Sequence, residues 1–346
     1  MHRAVHGLAL PAQFEIISVP AGKPQTKPRA LNYALQFARG SLVTIYDSED
    51  IPQPNQLYRA AERFAVEDEG LACLQAALCF YNPNENWLTR QFTAEYAGLF
   101  KVILPALAES GLPILLGGTS NHFRLDTLKR CGGWDPFNVT EDADLGIRLA
   151  RLGFRSDVLC NHTYEEANTQ FVNWMQQRRR WFKGFLQTWL VHMRQPTVLW
   201  RELGSFGFWT VQSFTIGIFA SALLHPILLV AGLRQLAPAY LSNGDPDILA
   251  TVASGASLSL LLSGYGVSMA VSWLGLKRSG INGWSGVLAA TPIYWLLMSA
   301  AAWLALWDFC VRPYHWHKTR HGLSRQRNAE TMRAPVARRP PKQNAT

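Results

Sequence analysis

The segment Leu42-Val43-Thr44-Ile45-Tyr46-Asp47-Ser48-Glu49-Asp50 decides the fold class, because its apolar run ends abruptly in acidic residues. Residues 42–46 predict a strand that is buried on both faces. Periodic apolar residues predict a helix on each side of this strand, at residues 28–39 and 54–66. Ligands of α/β proteins bind at the carboxyl ends of strands, so the acidic residues mark a candidate site.

The alternation of strands and helices continues through residues 1–170. Further strands are predicted at residues 14–19, 71–78, 113–116 and 154–159, and a further helix at 144–152. In the helix at 54–66, the residues expected to face the core are Leu57, Ala60, Ala61 and Phe64. This order of elements predicts an α/β domain with a mostly parallel sheet.

Three stretches in the second half contain no Asp, Glu, Lys or Arg: residues 205–233, 248–276 and 281–307. Each is longer than the ~20 residues that an α-helix needs to cross a bilayer. We therefore predict transmembrane helices at about 205–233, 247–276 and 283–308, within a membrane region at 201–310. Three buried helices of a soluble protein are the alternative, which so many charge-free residues make improbable.

The net charge of +9 is concentrated near the end of the chain, where residues 311–346 hold nine Lys and Arg against one acid, Glu330. A basic segment beside an apolar helix is typical of contact with anionic headgroups, so nucleic acid is not expected as a partner. The tail is predicted to be disordered. Five cysteines without a Cys-x-x-Cys pair fit a reducing compartment and no zinc site.

The acidic residues after the first strand have two interpretations. Asp47 and Glu49 can bind a divalent cation, which prefers carboxylate oxygens and bridges diphosphate oxygens. Asp50 is a competing ligand, or it only caps a turn before the next helix.

Residues 171–200 predict an amphipathic helix at the membrane interface. Gln177, Arg180 and Trp181 share one face. The apolar stripe beside them comprises Phe171, Trp174, Met175, Phe182, Phe185, Leu186 and Trp189. Arg178 falls within this stripe, and the sequence assigns it no role. A membrane-surface anchor without catalytic residues is the alternative.

Several motifs occur in one order along the chain. Lys27-Pro28-Arg29-Ala30-Leu31-Asn32 precedes the first strand, Thr140-Glu141-Asp142 follows Gly132-Gly133-Trp134, and Gln177-Arg178-Arg179-Arg180-Trp181 precedes the apolar stretches. Over about residues 13–320 the chain resembles a membrane-embedded family 2 glycosyltransferase of the cellulose-synthase type, with a GT-A-like nucleotide-sugar domain at 1–170. A helix cap at Thr140 with favourable first-turn acids explains the Thr-Glu-Asp motif without catalysis.

The resemblance implies a role for each matching residue. Asp142 would be the general base, and Asp47 and Glu49 would hold Mg²⁺ or Mn²⁺. The residues implied at the donor nucleotide are Lys27, Asn32 and Asp47. The residues implied at the acceptor or transferred sugar are Glu141, Gln177, Arg180, Trp181, Gly118 and Ser120.

The function implied is inverting transfer of a hexose from a UDP-sugar to a growing polysaccharide. The expected partners are the lipid bilayer and further subunits of a polysaccharide synthase. The expected location is the inner cell membrane, crossed several times, with the catalytic domain in the cytoplasm. Two alternatives stay open: a non-catalytic remnant or scaffold subunit, and a non-processive transferase that makes a lipid-linked sugar.

One departure from the family pattern concerns the start of the chain. Family members begin with a further strand–helix segment that carries a uridine-contacting Asp, and Met1 follows too late to include it. The resemblance therefore implies an N-terminally truncated member, and either a different start site, a partner protein or decay of the gene would account for the missing segment.

Overall fold

The computed structural model describes residues 13–235, 248–312 and 322–324. Within them, the first half of the chain is built on a five-stranded sheet. Its strands are β1 (Leu42–Ile45), β2 (Ile51–Pro52), β3 (Leu71–Phe80), β4 (Asn121–Arg124) and β5 (Arg155–Glu165). Their order across the sheet is β1-β4-β3-β5-β2. The long central strand β3 is buried along nearly its whole length.

The α/β fold class is confirmed, but the prediction of a mostly parallel sheet is wrong. Strands β3 and β5 pair in parallel, whereas the β1–β4, β3–β4 and β2–β5 pairs are antiparallel. Two of the antiparallel pairs involve β4, which lies between β1 and β3 and runs opposite to both, and the third joins β2 to β5. The sequence Asn-His-Phe-Arg of β4 shows too little apolar character to predict a strand.

Three local predictions need correction. All four residues of β1 are half-buried, because β1 lies at the edge of the sheet among the described strands. Residues 14–19 and 113–116 form no regular strand. The helix after β2 buries Gln56, Ala60 and Phe64, while Leu57 and Ala61 are exposed. The apolar residues of that helix therefore do not all face the core.

Helices cover the sheet and lead towards the membrane region. The short ones are α1 (Lys27–Leu35), α2 (Gln56–Val66), α4 (Leu104–Glu109), α5 (Leu125–Arg130) and α6 (Glu141–Arg151). The sequence did not predict α3 (Trp87–Gly98), which a π-helical turn at Leu99–Ile103 joins to α4. Asn86 and Thr89 start α3 with a reciprocal pair of capping hydrogen bonds.

The second half of the chain is helical. Its elements are α7 (Phe171–His192), α8 (Pro196–Gln212), α9 (Ile218–Gln235), α10 (Ile248–Arg278), α11 (Ser285–Ala289) and α12 (Thr291–Val311). Three spans are long and apolar enough to cross a membrane: Pro196–Gln235, Ile248–Arg278 and Thr291–Val311. These agree with the three charge-free stretches. Gly204 interrupts α8 with a φ of 66°, one residue before the predicted start of the first span. Residue 247 and most of the basic tail lie outside the described residues.

Helix α7 packs against protein along much of its apolar stripe. Trp174, Phe182 and Leu186 are buried, and the last two contact Phe219 of α9 and alanines of α12. Phe171 remains half exposed. The position of α7 at the membrane interface therefore stays a prediction. Its apolar stripe mainly joins the sheet-containing half, residues 13–170 and called the catalytic half below, to the membrane helices.

Helix α10 approaches α3 so closely that one residue must be glycine. A Cβ atom on Gly275 would overlap the backbone carbonyl of Ala97. We expect Gly275→Ala to reduce the free energy of unfolding by ~1–3 kcal/mol, because a packed backbone contact must open to admit the methyl group.

The matched control is Gly255→Ala in the same helix, where a Cβ atom meets nothing within 4 Å. It should keep or slightly raise stability, because alanine favours a helix by up to ~1 kcal/mol over glycine. Thermal unfolding in detergent measures both variants. Equal midpoints would show that this helix contact does not depend on glycine.

Candidate active site

A cavity of about 910 Å³ lies at the edge of the sheet where β1, β3 and β5 end. These three strands run in the same direction, because β4 is antiparallel to both β1 and β3, and β5 is parallel to β3. Asp47 after β1, Phe80 at the end of β3 and Glu165 at the end of β5 all line the cavity. Candidate binding residues therefore do lie at the carboxyl ends of strands, although the sheet is mixed rather than mostly parallel.

Nine of the eleven site residues named from the sequence line this one cavity. They are Lys27, Asp47, Glu49, Gly118, Glu141, Asp142, Gln177, Arg180 and Trp181. They come from parts of the chain more than 150 residues apart in sequence, so their convergence is a property of the fold.

Lys27 and Asp47 form an ion pair at the wall of the cavity. Lys27 Nζ also donates a hydrogen bond of 2.7 Å to the carbonyl oxygen of Gly118. The Lys27 ammonium group is thus held between a carboxylate and a backbone carbonyl at the cavity wall.

Asp50 serves the turn that carries Asp47. Its Oδ2 accepts a 2.8 Å hydrogen bond from the backbone N–H of Asp47 and another from the Thr119 hydroxyl. Burial raises the pKa of Asp50, and the Thr119 hydrogen bond opposes that shift. These contacts favour the turn-capping interpretation of Asp50 over a role as metal ligand.

Glu165 was missed by the sequence analysis and adds a further carboxyl group to the acidic end. Burial raises its pKa well above the usual value, and the nearby charges of Asp50 and Asp47 add to the shift. The strand predicted at 154–159 stops six residues short of Glu165, although the observed strand reaches it. A correct strand end would have identified Glu165 by the argument that found Asp47.

Glu141 and Asp142 begin α6 on the other side of the cavity. Burial, and then the charge of Asp142, raise the pKa of Glu141 to about 7. Burial also raises the pKa of Asp142, while the Ala143 N–H, which donates to Asp142 Oδ1 at 2.8 Å, opposes that shift. Two adjacent carboxyl groups in a buried site can hold one proton between them, which limits their mutual repulsion.

Arg180 faces the same carboxylates from α7. Burial lowers the pKa of its guanidinium group, and the charges of Glu141 and Asp142 oppose the shift. An arginine remains charged under such conditions. The cavity thus holds a cation on each side, Lys27 and Arg180, with the candidate base Asp142 close to both.

Gly118 leaves room for Asp142. A Cβ atom on Gly118 would lie 3.2 Å from Asp142 Oδ2. Thr140, just before the acidic pair, was predicted to cap α6, but its side chain makes no capping hydrogen bond. Its hydroxyl instead contacts Asn138 and Thr188, 3.3 and 3.2 Å away. These contacts tie the start of α6 to α7.

Trp181 and Gln177 form part of the cavity wall on α7. The Trp181 ring stacks on Tyr96 with centroids 6.4 Å apart and meets the edge of Phe92 at 6.0 Å. Gln177 Oε1 accepts a 2.8 Å hydrogen bond from Asn168. Both side chains are therefore held in place before any ligand binds.

Arg178 has a structural role that its place in the apolar stripe had concealed. Its guanidinium group is buried and donates to both carboxylate oxygens of Glu95 at 2.6 and 2.7 Å. It also donates to the Tyr294 hydroxyl at 3.0 Å. The same group lies 4.7 Å from the centre of the Trp181 ring. Arg178 thus joins α3, α7 and α12 behind the cavity wall.

Two predicted site residues do not reach the cavity. Asn32 exchanges hydrogen bonds of 2.6 and 2.9 Å with the backbone of Trp134. Ser120 is fully buried within the sheet and donates to the Thr163 hydroxyl at 2.7 Å. Their side chains hold the fold together, so a direct contact with the donor or acceptor is not expected.

Glu166 brings a late part of the chain to the cavity edge. Its carboxylate accepts hydrogen bonds from three consecutive N–H groups, those of Gly322, Leu323 and Ser324, at 2.5, 2.7 and 2.6 Å. Ser324 also donates to Glu85 at 2.6 Å. Residues beyond the last membrane helix therefore lie beside the catalytic half.

Comparison with known proteins gives a family match. The family described as Glycosyl transferase family group 2 matches residues 42–307, more than half of the chain. A beta-monoglucosyldiacylglycerol synthase of Synechocystis is 26% identical over 332 residues, which cover 90% of this chain and 64% of that protein. A probable glucomannan 4-beta-mannosyltransferase of Arabidopsis thaliana is 28% identical over 143 residues, 41% of this chain and 26% of that protein.

The chain thus spans less than two thirds of the length of these curated relatives. Among solved structures, a mannosyltransferase of Pyrobaculum calidifontis in complex with GDP-Man and Mn²⁺ has a TM-score of 0.44 and 17% identity. That similarity covers 83% of this chain and 67% of the other.

The contribution of the buried Arg178–Glu95 ion pair to the stability of the cavity wall can be tested by substitution. We expect Glu95→Gln to lower the free energy of unfolding by ~3–5 kcal/mol, because it leaves the buried guanidinium group without a counter-charge. Adding Arg178→Met to Glu95→Gln should recover part of the loss, since the unpaired charge is then removed.

The control is Glu62→Gln, which removes an exposed ion pair with Arg59 on α2. It should cost at most ~1 kcal/mol. Denaturant titration in detergent measures all three variants. If Glu95→Gln costs no more than Glu62→Gln, the pair does not hold the wall.

Proposed function

Because the chain belongs to the Glycosyl transferase family group 2, we propose that it transfers a hexose from a UDP-sugar to an acceptor hydroxyl, with inversion and with a divalent cation. The observation that carries this proposal is the convergence of Asp142, Arg180, Lys27 and Asp47 on one cavity. A base, two cations and a carboxylate that can bind a metal ion are the groups that direct displacement at a sugar diphosphate requires.

Asp142 accepts the proton of the acceptor hydroxyl as its oxygen attacks the anomeric carbon of the donor. The bond from that carbon to the diphosphate oxygen breaks in the same step, which inverts the anomeric configuration. Lys27 and Arg180 stabilise the negative charge that develops on the departing diphosphate. Glu141, whose pKa lies at about 7, keeps the acidic pair from carrying two full charges.

The residues present fit a divalent cation. Asp47 and Glu49 line the same cavity and supply hard carboxylate oxygens. Among the described residues, no group of three or more His, Cys, Asp or Glu side chains forms a closed metal site. Mg²⁺ and Mn²⁺ suit such an open arrangement, because Mg²⁺ in particular takes one or two protein carboxylates and completes its shell with water and substrate phosphate. A bound cation would neutralise diphosphate charge there.

The acceptor has two candidate classes. Trp181 and Gln177 lie near Asp142 on the cavity wall, and an aromatic face suits the CH face of a pyranose. This arrangement supports a growing polysaccharide as the acceptor. The continuation of the cavity between membrane helices supports a lipid acceptor instead, as does similarity over 90% of the chain to a protein named as a glycolipid synthase.

The cellular setting follows from the donor. Nucleotide sugars are cytoplasmic, so the catalytic half lies on the cytoplasmic side of the inner membrane, anchored by the candidate spans. Residues 322–324 contact Glu166 and therefore lie on the same side as the catalytic half. Lys277 and Arg278 at the end of α10 fit a cytoplasmic loop. Further synthase subunits are proposed partners in the polysaccharide case.

Incubation of the purified chain in lipid nanodiscs with radiolabelled UDP-hexoses tests the proposal. Label in an ethanol-insoluble polymer supports the polysaccharide acceptor, and label extracted into chloroform supports a lipid acceptor. Neither product, together with no release of UDP from any UDP-hexose, would favour the non-catalytic scaffold.

The role of Asp142 gives a sharp prediction. Asp142→Asn keeps the shape of the side chain but removes proton acceptance, so turnover should fall by ~10²–10⁴-fold. Binding of the UDP-sugar, measured by titration calorimetry, should change little, because the metal and diphosphate contacts are assigned to other residues: Lys27, Asp47, Glu49 and Arg180.

The matched control is Asp126→Asn, an exposed acid in the first turn of α5. It should leave turnover unchanged. Normal turnover of Asp142→Asn would exclude Asp142 as the base and leave only a helix-start role, worth at most ~1 kcal/mol of stability.

Metal removal gives a second prediction. EDTA should abolish release of UDP, and Mn²⁺ or Mg²⁺ should restore it. Glu49→Gln should raise the Mn²⁺ concentration needed for half-maximal turnover, because one ligand is lost, whereas Glu62→Gln on the exposed face of α2 should not. Full activity in excess EDTA would contradict the metal assignment.

A further inference from the structure

We propose that the inner part of the cavity is a slot for one alkyl chain, and that the acceptor is an amphiphile whose hydroxylated head reaches Asp142 while its tail lies between the membrane helices. This inference rests on the proposed function and chooses between its two acceptor classes. The slot is the part of the cavity lined by α9, α10 and α12.

The slot follows one face of α10. Leu260, Gly264, Val267 and Val271 line it at intervals of four, three and four residues, which places them on one side of the helix. Ser272 lies twelve residues after Leu260, so the lined face is ~18 Å long at a rise of ~1.5 Å per residue. That length is more than half of the ~30 Å hydrocarbon core of a bilayer.

The other walls are also apolar. Ile218 and Ala222 face the slot from α9, and Trp295 and Met298 face it from α12. No Asp, Glu, Lys or Arg lines the cavity from the described residues of α9, α10 or α12. The charged lining residues all belong to the catalytic half and α7, so polarity falls steeply along one continuous space.

Several polar side chains in the walls already have partners within the protein. The Ser263 hydroxyl donates to the carbonyl of Leu260 at 3.0 Å, and the Ser221 hydroxyl donates to that of Ile218 at 2.9 Å. His225 contacts the Tyr265 hydroxyl at 2.6 Å and the Ser299 hydroxyl at 3.2 Å. A glycan in this slot would leave many of its own hydroxyl groups without partners, which is costly. An alkyl chain needs none.

The slot opens into the space beside Asp142, and this is why we assign its occupant as the acceptor. The slot and Asp142 belong to the same cavity, and the helices around the slot have membrane-spanning composition. A molecule held there has its tail at bilayer depth and its head beside the candidate base. The chemistry required is a non-ionic amphiphile with a single chain in the slot and a free primary or secondary hydroxyl group.

Two glycines of α10 give a matched pair of variants. Gly264 lines the slot, and a Cβ atom there would lie 3.7 Å from the Trp295 ring. Gly266 is outside the lining, and a Cβ atom there meets nothing within 4 Å. Gly264→Leu fills the slot, whereas Gly266→Leu adds the same side chain to the lipid-facing surface with the same gain in helix propensity.

The first experiment measures transfer from a UDP-hexose to 1-alkylglycerols of increasing tail length, with the full chain in detergent. In the parent protein the KM for the acceptor should fall by up to roughly fourfold for each added methylene until the slot is full. Gly264→Leu should abolish this dependence, while Gly266→Leu keeps it. A KM that is independent of tail length, or equal behaviour of the two variants, would overturn the slot.

The second experiment does not depend on activity. A 1-alkylglycerol with a diazirine at the end of its tail is photolysed with the protein, and labelled peptides are mapped by mass spectrometry. Label should appear on the slot faces of α10 and α12 in the parent and in Gly266→Leu, and be lost in Gly264→Leu. Label confined to the outer faces of these helices would exclude the slot.

The two experiments together separate the two proposals. Slot labelling without release of UDP from any UDP-hexose would refute the proposed transferase activity while leaving the slot intact. Polymer formation that Gly264→Leu reduces in the absence of any alkylglycerol would show that the space conducts a glycan, and the proposal of an alkyl chain would then be wrong.

Discussion

The architecture depends on one buried ion pair, between Arg178 and Glu95. Burying a guanidinium group is expensive unless it is paired and hydrogen-bonded, and here both conditions are met by Glu95 together with the Tyr294 hydroxyl. The three residues belong to a helix of the catalytic half, the connecting helix and the last membrane helix. A second ion pair, between Arg179 and Asp308, also joins α7 to α12. The orientation of Trp181 beside the cavity follows from this frame, because the Arg178 guanidinium group lies against its ring.

The sequence predicted the features that depend on local pattern. Charge-free stretches identified the membrane helices. Acids after a predicted strand identified the cavity edge, because β1, β3 and β5 run in the same direction even though the sheet is mixed. Features that depend on distant partners were missed. The strand at Asn121–Arg124 is stabilised by neighbours on both sides, and its own composition is polar. Asn32 belongs to a family motif, yet its amide bonds to a backbone 102 residues away. Arg178 was visible as a charge in an apolar stripe, but its partner lies 83 residues earlier.

The cavity separates two kinds of chemistry along its length. At one end, burial raises the pKa values of Glu141, Asp142 and Glu165, and neighbouring acids add to the shift for Glu141 and Glu165, while the charge of Lys27 opposes it for all three. Because acids outnumber cations in this part of the cavity, an anionic ligand is favoured there only when a cation accompanies it. At the other end, wall hydroxyls bond within their own helices and offer little to a polar ligand. Glu95, Arg178 and Tyr294, which hold the helices together, also line this cavity.

The glycine contact between α10 and α3 has a consequence for how the chain can be divided. Ala94 and Ala97 of the catalytic half are buried against Leu276 and Val287, and Gln91 donates to the Val287 carbonyl at 2.5 Å. Cutting the chain before the first membrane span would uncover this surface together with the apolar lining around Phe100 and Leu104. The catalytic half is therefore not an independent module tethered to a membrane anchor. Its boundary in space runs through the membrane helices, and the smallest piece able to keep its native shape contains both.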